Sequence, residues 1–186
     1  MPNLTFVTGN SAKFHVGATI CKQYDIQLHQ IKADIVEIQA EAGEVVAARK
    51  VADAFSLLQK PLVISDDSWM IPGLNNFPGP YMKSMNHWFT PEDWLRLSGT
   101  LTDRRIILHL VVCYQDRDCQ KIFSADIEGE LLHEIKGQES HSHNTIVTFN
   151  GGRTSLAEDV AAGHVSSDVP HSPWHAFAQW YKEYTS

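Results

Sequence analysis

Two short stretches hold the residues best suited to chemistry. In the first, the apolar run Leu62-Val63-Ile64 passes into Ser65-Asp66-Asp67-Ser68, so two carboxylates stand side by side. Adjacent carboxylates repel each other and need a cation or a shared proton. The apolar run reads as a buried strand, which puts the acidic pair at a strand end on the rim of a sheet, where α/β proteins place ligands. The same residues also read as a solvated turn, since Asp and Ser are common turn residues. In the second stretch, Leu4-Thr5-Phe6-Val7 leads through Thr8-Gly9-Asn10-Ser11-Ala12 to Lys13. A strand feeding a helix through Gly and Asn aims backbone N–H groups and a lysine at one place, which suits a phosphate. An ordinary strand-to-helix turn explains it equally well, and its glycine spacing is not that of a Walker A loop.

Three further features belong beside these. Phe77-Pro78-Gly79-Pro80-Tyr81 follows the acidic stretch, with Lys83 two residues on. Glu44 falls in the first turn of a predicted helix, where it either favours the helix dipole or supplies a third carboxylate facing Asp66 and Asp67. His141-x-His143 has the look of a metal pair, but two imidazoles alone do not make a site, and a polar loop is the simpler reading.

The elements that must position these groups are legible from periodicity. After the first strand, a helix carries Phe14, Ala18, Cys21 and Tyr24 on one side, and a second strand spans Ile26 to Gln30. A helix starting near Gly43 buries Ala47, Val51, Phe55 and Leu58. Thr90-Pro91-Glu92-Asp93 is a helix start, with Thr as N-cap and Pro at the first helical position. Ile106 to Tyr114 and Lys121 to Leu132 read as strands, and Ile146 to Phe149 as a short one before the turn Asn150-Gly151-Gly152. A last helix opens at Ser172-Pro173, and its Phe177, Trp180, Tyr181 and Tyr184 form one aromatic face, read as core or subunit interface. Strands alternate with helices early and cluster later, which predicts an α/β fold with a mixed central sheet flanked by helices.

The chain of 186 residues, 43% hydrophobic and 20% charged, is expected to form one domain over 1–186. Its formal net charge of -7 argues against a broad nucleic-acid surface, while leaving room for a phosphorylated ligand held by a few cations. No stretch resembles a membrane span or a signal peptide. Cys21, Cys113 and Cys119 lack metal-type spacing and read as reduced, packing thiols, so a cytoplasmic location is expected.

Taken together, the stretches resemble the inosine triphosphate pyrophosphatase family, enzymes that hydrolyse non-standard purine nucleoside triphosphates. Thr8-Gly9-Asn10-Ser11-Ala12-Lys13 is similar to the family's opening Thr-Gly-Asn-x-x-Lys, and Asp66-Asp67-Ser68 with Pro78-Gly79-Pro80-Tyr81 and Lys83 to its acidic motif and the segment after it. Asp34-Ile35-Val36-Glu37-Ile38-Gln39 and Glu44 lie between them in the family's order. Gly151-Gly152-Arg153-Thr154-Ser155-Leu156-Ala157-Glu158 is similar to a later Gly-x-x-x-Thr-aromatic-Ala-Glu.

The resemblance implies two lobes with a cleft between them, a homodimer, and Mg²⁺ as cofactor with Mn²⁺ as an alternative. It implies cleavage between the α and β phosphates, giving a nucleoside monophosphate and pyrophosphate. Thr8, Asn10, Lys13 and Lys83 would bind substrate, Glu44, Asp66 and Asp67 the metal, and Asp67 with Lys13 would be catalytic. A non-catalytic nucleotide-binding protein on the same scaffold is the alternative, and a protein that binds a partner through Trp174 and Trp180 a third.

The departures fall mostly on the part that reads the base. The family's Phe-Gly-Trp-Asp-Pro falls on His141-Ser142-His143-Asn144-Thr145, so Asn144 takes the place of the base-reading Asp. The family's Ser-His-Arg falls near Pro170-His171-Ser172, leaving His171 as substrate ligand without the arginine, and His164 is a weak substitute for an expected lysine. Val16 stands where the first helix usually carries Glu, and Trp69 where the acidic motif usually has a small residue. Exchanged polar groups change what a hydrogen-bonding site selects, so an altered base pocket is expected.

Overall fold

Alternating apolar residues in Asn3–Val7 bury Leu4 and Phe6 completely or nearly so, and this first strand, β1, seeds the sheet. The computed structural model describes residues 3–36, 38–138, 141–164 and 171–185; Glu37 and Pro170, named above, lie outside them. Along the described chain follow α1 (Ser11–Gln23), β2 (Gln27–Ile31), α2 (Gly43–Leu58), β3 (Leu62–Ile71), β4 (Phe77–Gly79), α3 (Met82–Trp88) and α4 (Pro91–Ser98). Then come β5 (Arg105–Gln115), β6 (Gln120–Leu131), β7 (Val147–Thr148), α5 (Leu156–Ala161) and α6 (Pro173–Tyr184). The strands form a mixed sheet in the order β2-β1-β3-β5-β6-β7, with β4 pairing β3 off that path. β1 runs parallel to β2 and β3, whereas β3–β4 and β6–β7 are antiparallel.

The chain divides into two compact units. The first comprises Met1–Asp67, Leu110–Ala125 and Ser167–Ser186. One of its buried clusters joins Leu4, Phe6, Ile20 and Val112 to Tyr114, Trp174 and Phe177; another joins Ala47, Val51 and Ala54 of α2 to Leu62, Ile64 and Val111. Burying each large apolar side chain stabilises the fold by about 1.5–3 kcal/mol. The expected face of α1 is largely present: Cys21 is buried and Phe14 and Tyr24 pack against the same cluster, with Gly17 and Ile20 buried beside them. A Cβ at Gly17 would meet the Trp174 ring at 2.7 Å, so the bare backbone lets α6 come close. Val16 is half-buried against the same cluster, which accounts for an apolar residue at that position.

The aromatic face of α6 belongs to this core. Trp174 is buried and Trp180 half-buried against the cluster, which removes them as exposed partner-binding aromatics. Tyr114 and Tyr184 both donate to Asp116 Oδ2, at 2.8 and 2.9 Å, tying the end of α6 to the β5–β6 hairpin. Burial pushes the Cys21 and Cys113 thiols up to about 12, as packing thiols should be.

The second unit comprises Ser68–His109 and Asp126–Ser166, with its core on Trp69, Ile71, Met82, Met85, Trp94 and Ile146. Thr90 caps α4 through a reciprocal box with Asp93.

Candidate active site

The β1-to-α1 turn is shaped by its own side chains. Asn10 Oδ1 accepts from the N–H groups of Ala12 at 2.9 Å and Lys13 at 3.1 Å, while Asn10 N–H donates to Thr8 Oγ1 at 3.1 Å. Asn10 is therefore the N-cap of α1, and Thr8 holds the turn that precedes it. A side chain at Gly9 would meet nothing within 4 Å, so the space beside this turn is open.

Capping fixes where α1 begins, and with it the direction of Lys13. Its ammonium forms an ion pair with Asp67 and stands 3.7 Å from Asp66 Oδ1. Lys50 of α2 reaches the same place, 3.9 Å from Asp66 Oδ2. Two cations thus face two carboxylates, the compensation that an adjacent acidic pair requires. These side chains are 20–31% exposed, so solvent screens the attraction and it adds little to stability. Such a cluster holds charge in place.

Lys50 was absent from the residues read as functional, although a signal existed. It lies three residues after buried Ala47 and four before buried Ala54, the spacing of the inward face of α2.

The acidic pair does not close its strand. β3 continues to Ile71, with Leu62 and Val63 paired to β1 and Trp69 to Ile71 paired to β4, so Asp66 and Asp67 lie between the two pairings. The apolar Trp69-Met70-Ile71 supplies a second pairing segment that the short run Leu62–Ile64 did not announce. Asp66 Oδ1 accepts from the Asp67 N–H at 3.0 Å, which fixes one carboxylate against the other's backbone.

Glu44 is half-buried in the first turn of α2. Among the described residues, no group of three or more His, Cys, Asp or Glu is gathered closely enough to hold a metal ion. Mg²⁺ is ordinarily held by one or two carboxylates together with substrate phosphates, so the paired Asp66 and Asp67 fit it as a donor set. Lys83 is exposed on α3.

The histidine-rich segment is a buried turn, not a polar loop. Ser142–Ile146 is a short 3₁₀ helix in which Ser142, His143, Asn144, Thr145 and Ile146 are all buried. Trp94 Nε1 donates to Ser142 Oγ at 3.0 Å, His143 Nδ1 lies 2.8 Å from Asn86 Oδ1, and Thr145 Oγ1 donates to Ser142 O at 2.7 Å. Trp69 packs edge-on against His143, with ring centroids 4.8 Å apart. Two of the changed positions, 69 and 143, therefore fill space together. Asn144 is buried with its N–H on His141 O at 2.9 Å, and only His141 of the segment is exposed. His171 is exposed, with φ 66°, immediately before the N-cap of α6.

The Gly151–Glu158 motif is a capping device. Ser155 caps α5 through a reciprocal box with Glu158, and its hydroxyl also donates to Lys136 O at 2.8 Å. A cavity of about 430 Å³ in the second unit is lined by Arg104, Arg105, Glu128, Thr148 and Phe149 among others, and by none of the predicted site residues.

The described architecture is similar to that of a HAM1 protein from Coxiella burnetii, with a TM-score of 0.78 at 17% identity, covering 98% of this chain and 100% of that one. The Ham1 protein of Staphylococcus aureus is similar as well, with a TM-score of 0.73 at 18% identity over 98% and 99% of the two chains. At these identities the likeness shows the fold. The sequence model of the Ham1 family matches residues 4–161, and the chain belongs to that family. Among curated relatives, a dITP/XTP pyrophosphatase of Methanopyrus kandleri is 27% identical over 178 residues, 95% of each chain. One of Methanosarcina mazei is 28% identical over 152 residues, 81% of this chain and 83% of the relative.

Proposed function

We propose that the chain hydrolyses a non-standard nucleoside triphosphate to the monophosphate and pyrophosphate, as the names of its dITP/XTP pyrophosphatase relatives suggest. One observation carries the reading: Asp66 and Asp67 meet Lys13 and Lys50 beside an open turn whose backbone Asn10 holds in shape. In this reading residues 1–186 work as one catalytic domain, in the cytoplasm and as a homodimer.

Asp67 orients the attacking water and takes its proton. Lys13 and Lys50 keep fixed positive charge next to the phosphates, where negative charge builds as the bond breaks. Asp66 and Asp67, together with the substrate phosphates, would hold Mg²⁺ or Mn²⁺, which when bound would neutralise phosphate charge and make a bound water more acidic. Thr8 and Asn10 act through the turn's backbone, since both side chains are engaged in shaping it. Base selection differs from the family pattern, because the turn at 142–145 is buried and tied to its neighbours.

Product analysis tests this. With dITP or XTP and Mg²⁺, equal amounts of nucleoside monophosphate and pyrophosphate should appear and vanish with chelator. Release of orthophosphate with a nucleoside diphosphate would overturn the cleavage site. Tight nucleotide binding without any product would support a non-catalytic binding protein instead.

A further inference from the structure

We infer that Gln30 is a positioning residue that aims the backbone N–H of Gly9 at a phosphate oxygen of the substrate. The inference deepens the reading of the β1-to-α1 turn as part of the polyphosphate site, and rests on it.

Gln30 breaks the pattern of its strand. β2 lies at the end of the sheet and pairs in parallel with β1, Leu28 beside Leu4 and Gln30 beside Phe6. Leu4, Phe6 and Leu28 belong to one buried cluster, and partnered residues of neighbouring strands share a face. The register therefore puts a carboxamide where the pattern calls for an apolar side chain, and Gln30 is half-buried there. A polar group taken out of water costs free energy unless it is hydrogen-bonded. Gln30 meets that need by donating from Nε2 to Thr8 O at 3.0 Å.

That bond finishes the ladder. Thr8 N–H donates to Ile31 O at 3.0 Å and β2 stops at Ile31, so the Gln30 amide serves Thr8 O where a longer parallel ladder would offer its next backbone N–H. Thr8 is thus held at its N–H, at its carbonyl and, by the Asn10 N–H, at its hydroxyl. The peptide joining Thr8 to Gly9 is trans and planar, so its C=O and N–H point opposite ways. Holding Thr8 O on the β2 side turns the Gly9 N–H toward the other side of β1, the side on which β3 pairs. β3 carries Asp66 and Asp67, and Lys13 reaches both. Gly9 is exposed, and among the described residues nothing accepts from its N–H. An open backbone N–H near a fixed lysine suits a phosphate oxygen.

The test measures binding of pyrophosphate with Mg²⁺ by calorimetry, together with KM and kcat for dITP and XTP, in wild type, Gln30→Met and Lys13→Ala. Methionine keeps the length of the side chain beside Phe6 and lacks the donor, and thermal melting checks that the fold survives. In Gln30→Met, pyrophosphate should bind about fivefold more weakly, the loss of about one hydrogen bond, and KM should rise by a like factor for both nucleotides with little change in kcat. The Gly9 amide signal in ¹⁵N–¹H spectra should move when pyrophosphate is added to wild type, and move less in Gln30→Met. Unchanged pyrophosphate binding in Gln30→Met alongside weakened binding in Lys13→Ala would overturn the inference, as would a KM change confined to one nucleotide. Unchanged binding in Lys13→Ala, or none in wild type, would instead sink the reading of the turn as a phosphate site and the inference with it. Should Gln30→Met not fold, the wild-type Gly9 signal decides: a shift on adding pyrophosphate is expected, and a signal that stays in place would overturn the inference.

Discussion

The cluster around Asp66 and the turn around His143 use polar residues in opposite ways. In the first, Lys13, Lys50, Asp66 and Asp67 are partly exposed and formally neutral as a group, so their charges remain within reach of solvent and ligand. In the second, His143, Ser142 and Thr145 are sealed inside a core with Trp69 and Trp94, where Ser142 Oγ, His143 Nδ1 and Thr145 Oγ1 are hydrogen-bonded to neighbours. Polar residue type alone does not reveal function. What matters is whether the groups stay available, and that follows from burial.

Crossed substitutions sharpen this contrast. Trp69→Ala leaves a cavity beside His143 and Phe149, and should lower stability by about 3–5 kcal/mol in chemical denaturation. Lys50→Met should leave the denaturation midpoint nearly unchanged while lowering kcat/KM about tenfold, through loss of a charge next to the phosphates. A Lys50 variant that unfolded easily, or a Trp69 variant that kept its stability and lost activity, would erase the distinction between the two regions.

A smaller effect belongs to the clamp on α6. The hydrogen bond to Asp116 pushes Tyr184 up to about 12, above the value of about 10 for an unfolded chain. A group raised in the fold is stabilising while protonated, so its contribution is complete below pH about 10 and fades as pH climbs through about 12. The stability difference between wild type and Tyr184→Phe, read by denaturation followed by circular dichroism, should therefore be largest at neutral pH, at about that of one exposed hydrogen bond, and shrink as pH rises from about 10 through about 12.

Much of this was legible in the sequence. Helix starts at Thr90 and Ser172 follow from capping residues and proline, and the one near Gly43 from the spacing of apolar residues; α2, α4 and α6 begin at or just after them. The acidic pair and Lys13 were legible because their charges lie in short contiguous motifs. Three things were not. The strand through Asp66 and Asp67 extends beyond its apolar run because its far end pairs with β4, a tertiary effect that local pattern cannot show. Lys50 needed the packing direction of α2 before its side chain could be aimed. The 142–146 turn looked polar because its composition is polar, and partners distant in sequence, on α3, on α4 and at Leu132 and Lys136, satisfy its polar groups on burial.

The most direct test of the central claim, that the carboxylate pair and its lysines are the catalytic centre, is pyrophosphate release from dITP by wild type and Asp67→Asn. Both proteins would be checked for the same circular dichroism and the same melting. A fall of about a hundredfold or more in the variant, with the fold unchanged, is the expected result. A wild-type rate in a correctly folded Asp67→Asn protein would contradict it and move the search for the catalytic centre elsewhere on the molecule.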